Sequence, residues 1–386
     1  MTPTPATPED LLARLVGFDT TSAKSNLALI DFVQGYLTEH GVESTLIPNE
    51  DGSKANMFAT IGPKDRGGIA LSGHTDVVPA NAGEWSSDPF TLTARDGRLY
   101  GRGSADMKGF LACVLALVPE MAAAGLTTPI HLAFSYDEEV GCAGVRPMID
   151  ELGKRLVKPR LAIVGEPTLM QVVNAHKSIE HYVTEVKGCE AHTSMTHLGA
   201  NAIFATAEII GEIARIRDEL IAEGDPSGRF TPPYSSVEIG RIEGGTALNI
   251  VARHCRLDWE MRGLPGADGA AVLERIERFG REQVLPKLRA VSEDTGIDTR
   301  VGIHVPSLAP AADEPAQRLA LRLAERNETF AVAYGTEAGL FQRAGIPTVV
   351  CGPGDIAVAH RPDEYVEKQQ LAACTAFLRR LIDTAR

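Results

Sequence analysis

Short apolar runs that stop at a polar cluster rich in glycine, histidine or acid narrow most what this chain can fold into. Such runs occur at 57–61, 69–71, 130–134 and 161–164, separated by helical stretches such as 109–121. Strand-length runs alternating with helical patterns read as an α/β domain with a mostly parallel sheet flanked by helices. Ahead of them, Thr7 can cap a first helix, with Pro8 at its first position and Asp10 three residues after the cap. Leu29, Phe32, Val33, Tyr36 and Leu37 form one apolar face of a second helix, which Gly41 can end.

The pattern changes near residue 176. Strand-like stretches at 179–186, 237–242 and 247–261 are interleaved with helical ones at 201–222 and 271–285. This β-α-β-β-α order suggests a small α+β domain with an antiparallel sheet. The first style then resumes with an apolar run at 347–350 and a closing amphipathic helix at 366–382. A chain of 386 residues exceeds what one core usually supports. The expectation is therefore a catalytic domain of residues 1–176 and 293–386, interrupted by an inserted lid at 177–292.

Composition limits the partners. A hydrophobic fraction of 44% and a charged fraction of 23% are ordinary for a soluble protein. The net charge of -13 disfavours nucleic acid and anionic membrane surfaces and favours a cationic small molecule. Residues 1–10 lack the Lys or Arg and apolar stretch of a signal peptide, and the apolar run 110–118 stops at Pro119 and Glu120, too short to span a bilayer. The expected location is the cytoplasm. There, Cys113, Cys142, Cys189, Cys255, Cys351 and Cys374, scattered without a Cys-x-x-Cys pair, read as buried thiols.

Chemistry collects where the runs end, because open α/β sheets bind ligands at the carboxyl ends of their strands. Gly73-His74-Thr75-Asp76, Tyr136-Asp137-Glu138-Glu139, Gly165-Glu166-Pro167 and Gly352-Pro353-Gly354, followed by His360, all lie just past such runs. Asp106 sits in the glycine-flanked loop 101–109. Singly these are weak signals, since a lone His-x-Asp is usually a structural pair and a Glu-Glu dipeptide a solvated turn. Together, so many carboxylates at one sheet edge would repel one another unless cations neutralised them. Two histidines among them favour transition-metal ions over magnesium or calcium. Two zinc ions among three carboxylates and two imidazoles leave a site near neutrality, and such a pair, about 3.5 to 4 Å apart, is suited to hydrolysis.

The strings Ser72-Gly73-His74-Thr75-Asp76-Val77-Val78-Pro79, Asp88-Pro89-Phe90, Gly101-Arg102-Gly103-Ser104-Ala105-Asp106-Met107-Lys108-Gly109 and Asp137-Glu138-Glu139 resemble the two-zinc family of aminoacylases, carboxypeptidases and desuccinylases. Tyr334-Gly335-Thr336-Glu337-Ala338, Gly352-Pro353-Gly354 and Ala359-His360-Arg361-Pro362-Asp363-Glu364-Tyr365 look most like its acetylornithine deacetylase branch. The resemblance runs nearly end to end. It implies that His74 and Glu166 hold one zinc, Glu139 and His360 the other, and Asp106 both, with cobalt able to substitute. It also implies a cis peptide after Asp106, Glu138 as general base, and Asp76 as the group that orients His74.

From the inserted domain, the resemblance assigns His192 to the oxyanion and Asn249 and Arg262 to the substrate carboxylate. Gly335, Thr336 and Glu337 complete the expected substrate contacts, with Glu337 a counter-charge for a distal ammonium or the partner of a nearby arginine. Relatives with this lid pair through it as homodimers, which would bring His192 to the partner's zinc site. The substrate that the resemblance implies is a small N-acyl amino acid, N2-acetyl-L-ornithine, hydrolysed to L-ornithine and acetate. A desuccinylase or broad aminoacylase of the same family is the competing enzyme, and a cleft that binds without turnover the competing non-enzyme. Other classes fit poorly. Asp106 stands where a dinucleotide loop wants its third glycine, no Gly-x-x-x-x-Gly-Lys-Ser/Thr or Gly-x-Ser-x-Gly string occurs, and nothing further marks Cys189 with His192 as a thiol catalyst.

Overall fold

A computed structural model describes residues 6–311 and 314–386; residues 1–5, the start of the N-terminal stretch considered above, and 312–313 lie outside it. The described residues form two compact units. One comprises the chain up to Ala175 with Pro310–Phe330 and Thr336–Arg386, and the other His176–Ala309 with Ala331–Gly335. The chain thus returns to the first unit at 310, not at 293 as the sequence suggests. The reason is the strand Gly296–Val305, which pairs antiparallel with Ile179–Lys187, Thr299 opposite Thr184. It is an edge strand whose side chains are exposed or half-buried apart from Val305, so it carries little apolar signal.

The first unit is built on a mixed sheet ordered 44–48, 55–61, 130–135, 69–74, 161–167, 348–352, 173–176, 330–332, whose last two strands belong to it as far as Ala175 and Phe330. Its centre is parallel: Leu71 lies between Leu132 and Ile163, and Val164 pairs with Val350. Ser44–Pro48 and Ala55–Ile61 are antiparallel, because the residues joining them are too few for a crossover. Leu71, Leu132, Ile163 and Val349 pack with Leu111, Val114, Phe377 and Leu381 of the flanking helices in one core. The helix Pro8–Val16 opens with the expected Thr7–Asp10 capping box, a feature worth about 1 kcal/mol. The stretch 109–121 divides into Gly109–Ala116 and Val118–Ala123, since Pro119 cannot continue a regular helix. Tyr365–Glu367 forms a short strand against Arg98–Tyr100, so the last helix begins at Lys368.

The second unit has a four-stranded antiparallel sheet ordered 236–244, 254–262, 179–187, 296–305. Alternate residues of Ile179–Lys187 face inward, and Tyr182 and Val186 pack with Leu257, Trp259, Ile209, Ile213 and Ile276. The expected strand 247–261 is half loop, because regular pairing starts only at His254. Five of the six cysteines are buried, none is in a disulfide, and Cys189 is partly exposed. Among the described residues no helix is long and apolar enough to cross a membrane.

Candidate metal centre

Parallel strands place their carboxyl ends on one edge of the sheet, and three of them bring acids or histidine there. His74 ends Ile69–His74, Glu138 and Glu139 follow Ile130–Ser135, and Glu166 lies near the end of Leu161–Pro167. Glu166 reaches its place because residue 165 is glycine: a Cβ there would stand 2.1 Å from the Phe110 ring. Asp106 comes from the loop before Gly109–Ala116, and His360 from a left-handed position, φ +61°, beyond Thr348–Gly352. The Asp106–Met107 peptide is cis.

Asp106 sits between the two histidines. Its Oδ1 is 3.0 Å from His74 Nε2 and its Oδ2 is 3.3 Å from His360 Nε2. His74 Nε2 also lies 3.8 Å from Glu166 Oε1, and His360 Nε2 lies 3.0 Å from Glu139 Oε2. Ligand atoms of His74, Asp106 and Glu139, and those of His74, Glu138 and Glu166, fall within 4.8 Å of one another.

Acids and imidazoles gathered in this way shift one another's protonation. Burial, reinforced by Asp106, pushes Glu166 well above the usual carboxylate range and Glu139 up to about 7. Glu138 is also driven well up, first by burial, with His74 opposing and Glu139 adding to the rise. His360 is raised to about 10 by its contacts with Asp106 and Glu139. Burial alone would lower His74, yet Glu166, Asp106 and Asp76 outweigh it and hold it well above the ordinary imidazole value. Glu166 Oε1 is buried without a hydrogen-bond partner. A buried carboxylate oxygen left open beside further acids and two imidazoles fits the demand of transition-metal cations.

The acids of the 137–139 triplet diverge. Asp137 pairs with Lys54 at 2.6 Å, Glu138 accepts a hydrogen bond from the Cys142 thiol at 3.2 Å, and Glu139 turns to His360. Asp76 differs in detail from expectation. His74 Nδ1 donates to the backbone carbonyl of Asp76 at 3.0 Å, with the carboxylate oxygen at 3.5 Å. The Asp76 carboxylate instead accepts Ser22 Oγ at 2.7 Å and the backbone N–H groups of Glu138 and Glu139 at 3.1 and 3.3 Å. Asp76 therefore fixes a ring through its carbonyl and, through its carboxylate, the turn that carries two site acids.

Among the described residues Glu337 meets no arginine. It is buried, Ser135 and Ser72 donate to its two oxygens, and burial pushes it up to about 7. Neighbouring Thr336 is buried and accepts the Ala338 N–H at 3.1 Å. His192, Asn249, Arg262 and Gly335 belong to the second unit. There His192 bridges Ile250, next to Asn249, whose carbonyl accepts the Thr193 N–H at 3.2 Å. Arg262 is paired with Glu260 at 3.0 Å.

Besides Ser72 and Ser135, Cys142 and Glu364 touch the site although sequence reasoning gave them no role. Cys142 meets Glu138, and Glu364 meets the Asp106 loop. Glu364 lay inside a motif quoted for the resemblance, so its place was visible, but its contacts needed the fold.

The profile of peptidase family M20/M25/M40 matches residues 70–384. An acetylornithine deacetylase of Myxococcus xanthus is 36% identical over 382 residues, covering 96% of this chain and 95% of that one. Aminopeptidase PepT of Bacillus cereus superposes with a TM-score of 0.74 at 19% identity over 98% of each chain. The Bacillus subtilis YXEP protein, described as a dinuclear metal-binding peptidase, superposes with a TM-score of 0.64 at 15% identity over 98% of each chain.

Proposed function

We propose that this chain, a metal-dependent hydrolase that belongs to peptidase family M20/M25/M40, removes the acetyl group of N2-acetyl-L-ornithine to give L-ornithine and acetate. The placing of Asp106 between His74 and His360, with Glu166 and Glu139 beside them, carries the hydrolytic reading. The identity to an acetylornithine deacetylase over nearly the whole chain supports the substrate, and the net charge of -13 suits a substrate with a distal ammonium. His74 and Glu166 would hold one zinc ion, Glu139 and His360 the other, and Asp106 both, with cobalt able to replace zinc. Bound there, the ions would polarise the acyl carbonyl and make water acidic enough to attack near neutral pH.

The protein's own groups handle the protons. Glu138 takes one from the attacking water and delivers it to the leaving amine. The Cys142 thiol holds its Oε1, which leaves Oε2 for the proton. Because His74 Nδ1–H is committed to the Asp76 carbonyl, the Nε2 lone pair points into the centre. Asn249, Arg262, Gly335 and Thr336 would hold the substrate carboxylate and backbone, and His192 the developing oxyanion. Its place of action is taken to be the cytoplasm.

A substrate panel tests the reading. Acetylornithine should turn over with the highest kcat/KM among acetyl-, formyl- and succinyl-amino acids, and a preference for succinyl-diaminopimelate or for neutral acyl-amino acids would replace it with a desuccinylase or broad aminoacylase. Glu337→Gln belongs on the same panel. A loss confined to acetylornithine keeps the Glu337 charge in recognition of the ammonium, and equal losses on an uncharged acetyl-amino acid of similar length remove it.

The second unit is taken to pair two chains, with His192 serving the centre of its partner. Exposed Met195, Leu198, Phe204, Leu248 and Ile250 lie on segments near His192 in sequence or bridged to it, as an interface would require. Coexpressed His192→Ala and Glu138→Ala chains should then recover about a quarter of wild-type activity, since half of randomly formed dimers are mixed and each has one intact site. Mixed dimers without recovered activity would place His192 in its own chain's site or outside catalysis.

A further inference from the structure

The glycine loop 101–109 has the look of an anion-binding loop, and the structure shows which anion it binds. Glu364, buried and four residues past His360, points its carboxylate into the loop. Its Oε2 accepts Arg102 Nη1 at 2.6 Å and the Gly103 N–H at 3.1 Å. Its Oε1 accepts the N–H groups of Ala105 at 2.9 Å and Asp106 at 3.1 Å. Gly103 stands at φ +77°, the left-handed turn that lets these N–H groups converge. Backbone N–H groups gathered in this way form a nest of the sort that elsewhere cradles phosphate. Here the chain fills the nest with its own carboxylate.

The contact is aligned by sheet pairing. Tyr365 pairs with Tyr100, and the Gly101 N–H donates to the Glu364 carbonyl at 2.9 Å, so Glu364 enters at the mouth of the loop. Through this one side chain the backbone of Asp106 is tied to a segment 258 positions away that also carries His360. We infer that Glu364 is the positioning residue of the metal centre, setting Asp106 against His360 so that one Asp106 oxygen faces each imidazole. The inference rests on the reading of Asp106 as the shared ligand.

A test must separate this role from general stability, because removing the carboxylate would leave the buried Arg102 cation and three N–H groups unpaired. Glu364→Gln keeps the shape but loses one acceptor and the charge. Glu364→Asp keeps the charge but withdraws it by one methylene. Metal-free wild type and both variants are titrated with zinc against a chromogenic chelator, their Tm is measured without metal, and kcat and KM are taken with metal at increasing excess. For Glu364→Gln the weaker zinc step should lose roughly 10- to 100-fold in affinity, with kcat falling alongside and KM nearly unchanged. Excess zinc should restore much of kcat, and Glu364→Asp should fall between wild type and Glu364→Gln.

Wild-type zinc affinity in folded Glu364→Gln overturns the inference, even if its Tm is lower. Should Glu364→Gln not fold, wild-type affinity in Glu364→Asp does the same. Fewer than two zinc ions on wild type would overturn the metal-centre reading itself and this inference with it.

Discussion

Replacing Glu138 by glutamine should lower kcat by roughly 10² to 10⁴ while metal content stays close to that of the unaltered chain. The amide keeps the volume and can still accept from the Cys142 thiol, whose sulfur is 3.2 Å from Oε1. It cannot take a proton from water at neutral pH. Glu139→Gln should fail differently, because Glu139 faces His360 and Asp106 rather than a thiol. That variant should lose metal first and activity as a consequence. Metal analysis beside steady-state kinetics distinguishes the two, and an exchange of phenotypes would reverse the roles of the adjacent acids.

Chelation should abolish activity, with zinc or cobalt restoring it at about two ions per chain. The pH dependence of uptake follows from the metal-free site. Glu139 is raised to about 7 by burial and Asp106, and Glu166 is raised as well. His360 is raised to about 10 by Asp106 and Glu139. All three must give up protons to serve as ligands, so metal uptake should release protons, and apparent affinity should fall as pH drops below about 10 and more steeply below about 7. Calorimetry in buffers of different ionisation enthalpy measures the proton release. Full activity after exhaustive chelation, confirmed by elemental analysis, would remove metal from the reaction.

Much of the candidate site was legible because each part has a local signature. His74, Glu138, Glu139 and Glu166 follow or end strand-length apolar runs, and a parallel sheet gathers such ends whatever the loops do. Asp76 was legible as a neighbour of His74 but not in its contacts. That its carboxylate holds the N–H groups of Glu138 and Glu139 depends on two adjacent strands lying in register, Ser72 opposite Ala133. Glu337 was read as facing a substrate ammonium or an arginine, and the structure adds that Ser72 and Ser135 donate to its oxygens. Serines at strand ends give no sign in sequence of which distant carboxylate they meet.

By itself the sequence determined the strand and helix alternation, the acids and histidines at the strand ends, and the motifs that mark the family, since these depend on residues close together along the chain. Tertiary structure alone decided the pairings between distant segments. The edge strand Gly296–Val305 stays with the second unit because of its pairing with Ile179–Lys187, although its exposed side chains carry little apolar pattern. Glu364 reaches Asp106 because Tyr365–Glu367 pairs with Arg98–Tyr100, across a separation that no local propensity records. Apolar periodicity encodes which face of an element is buried, whereas the partner across a sheet or loop is set by the collective packing of the whole chain.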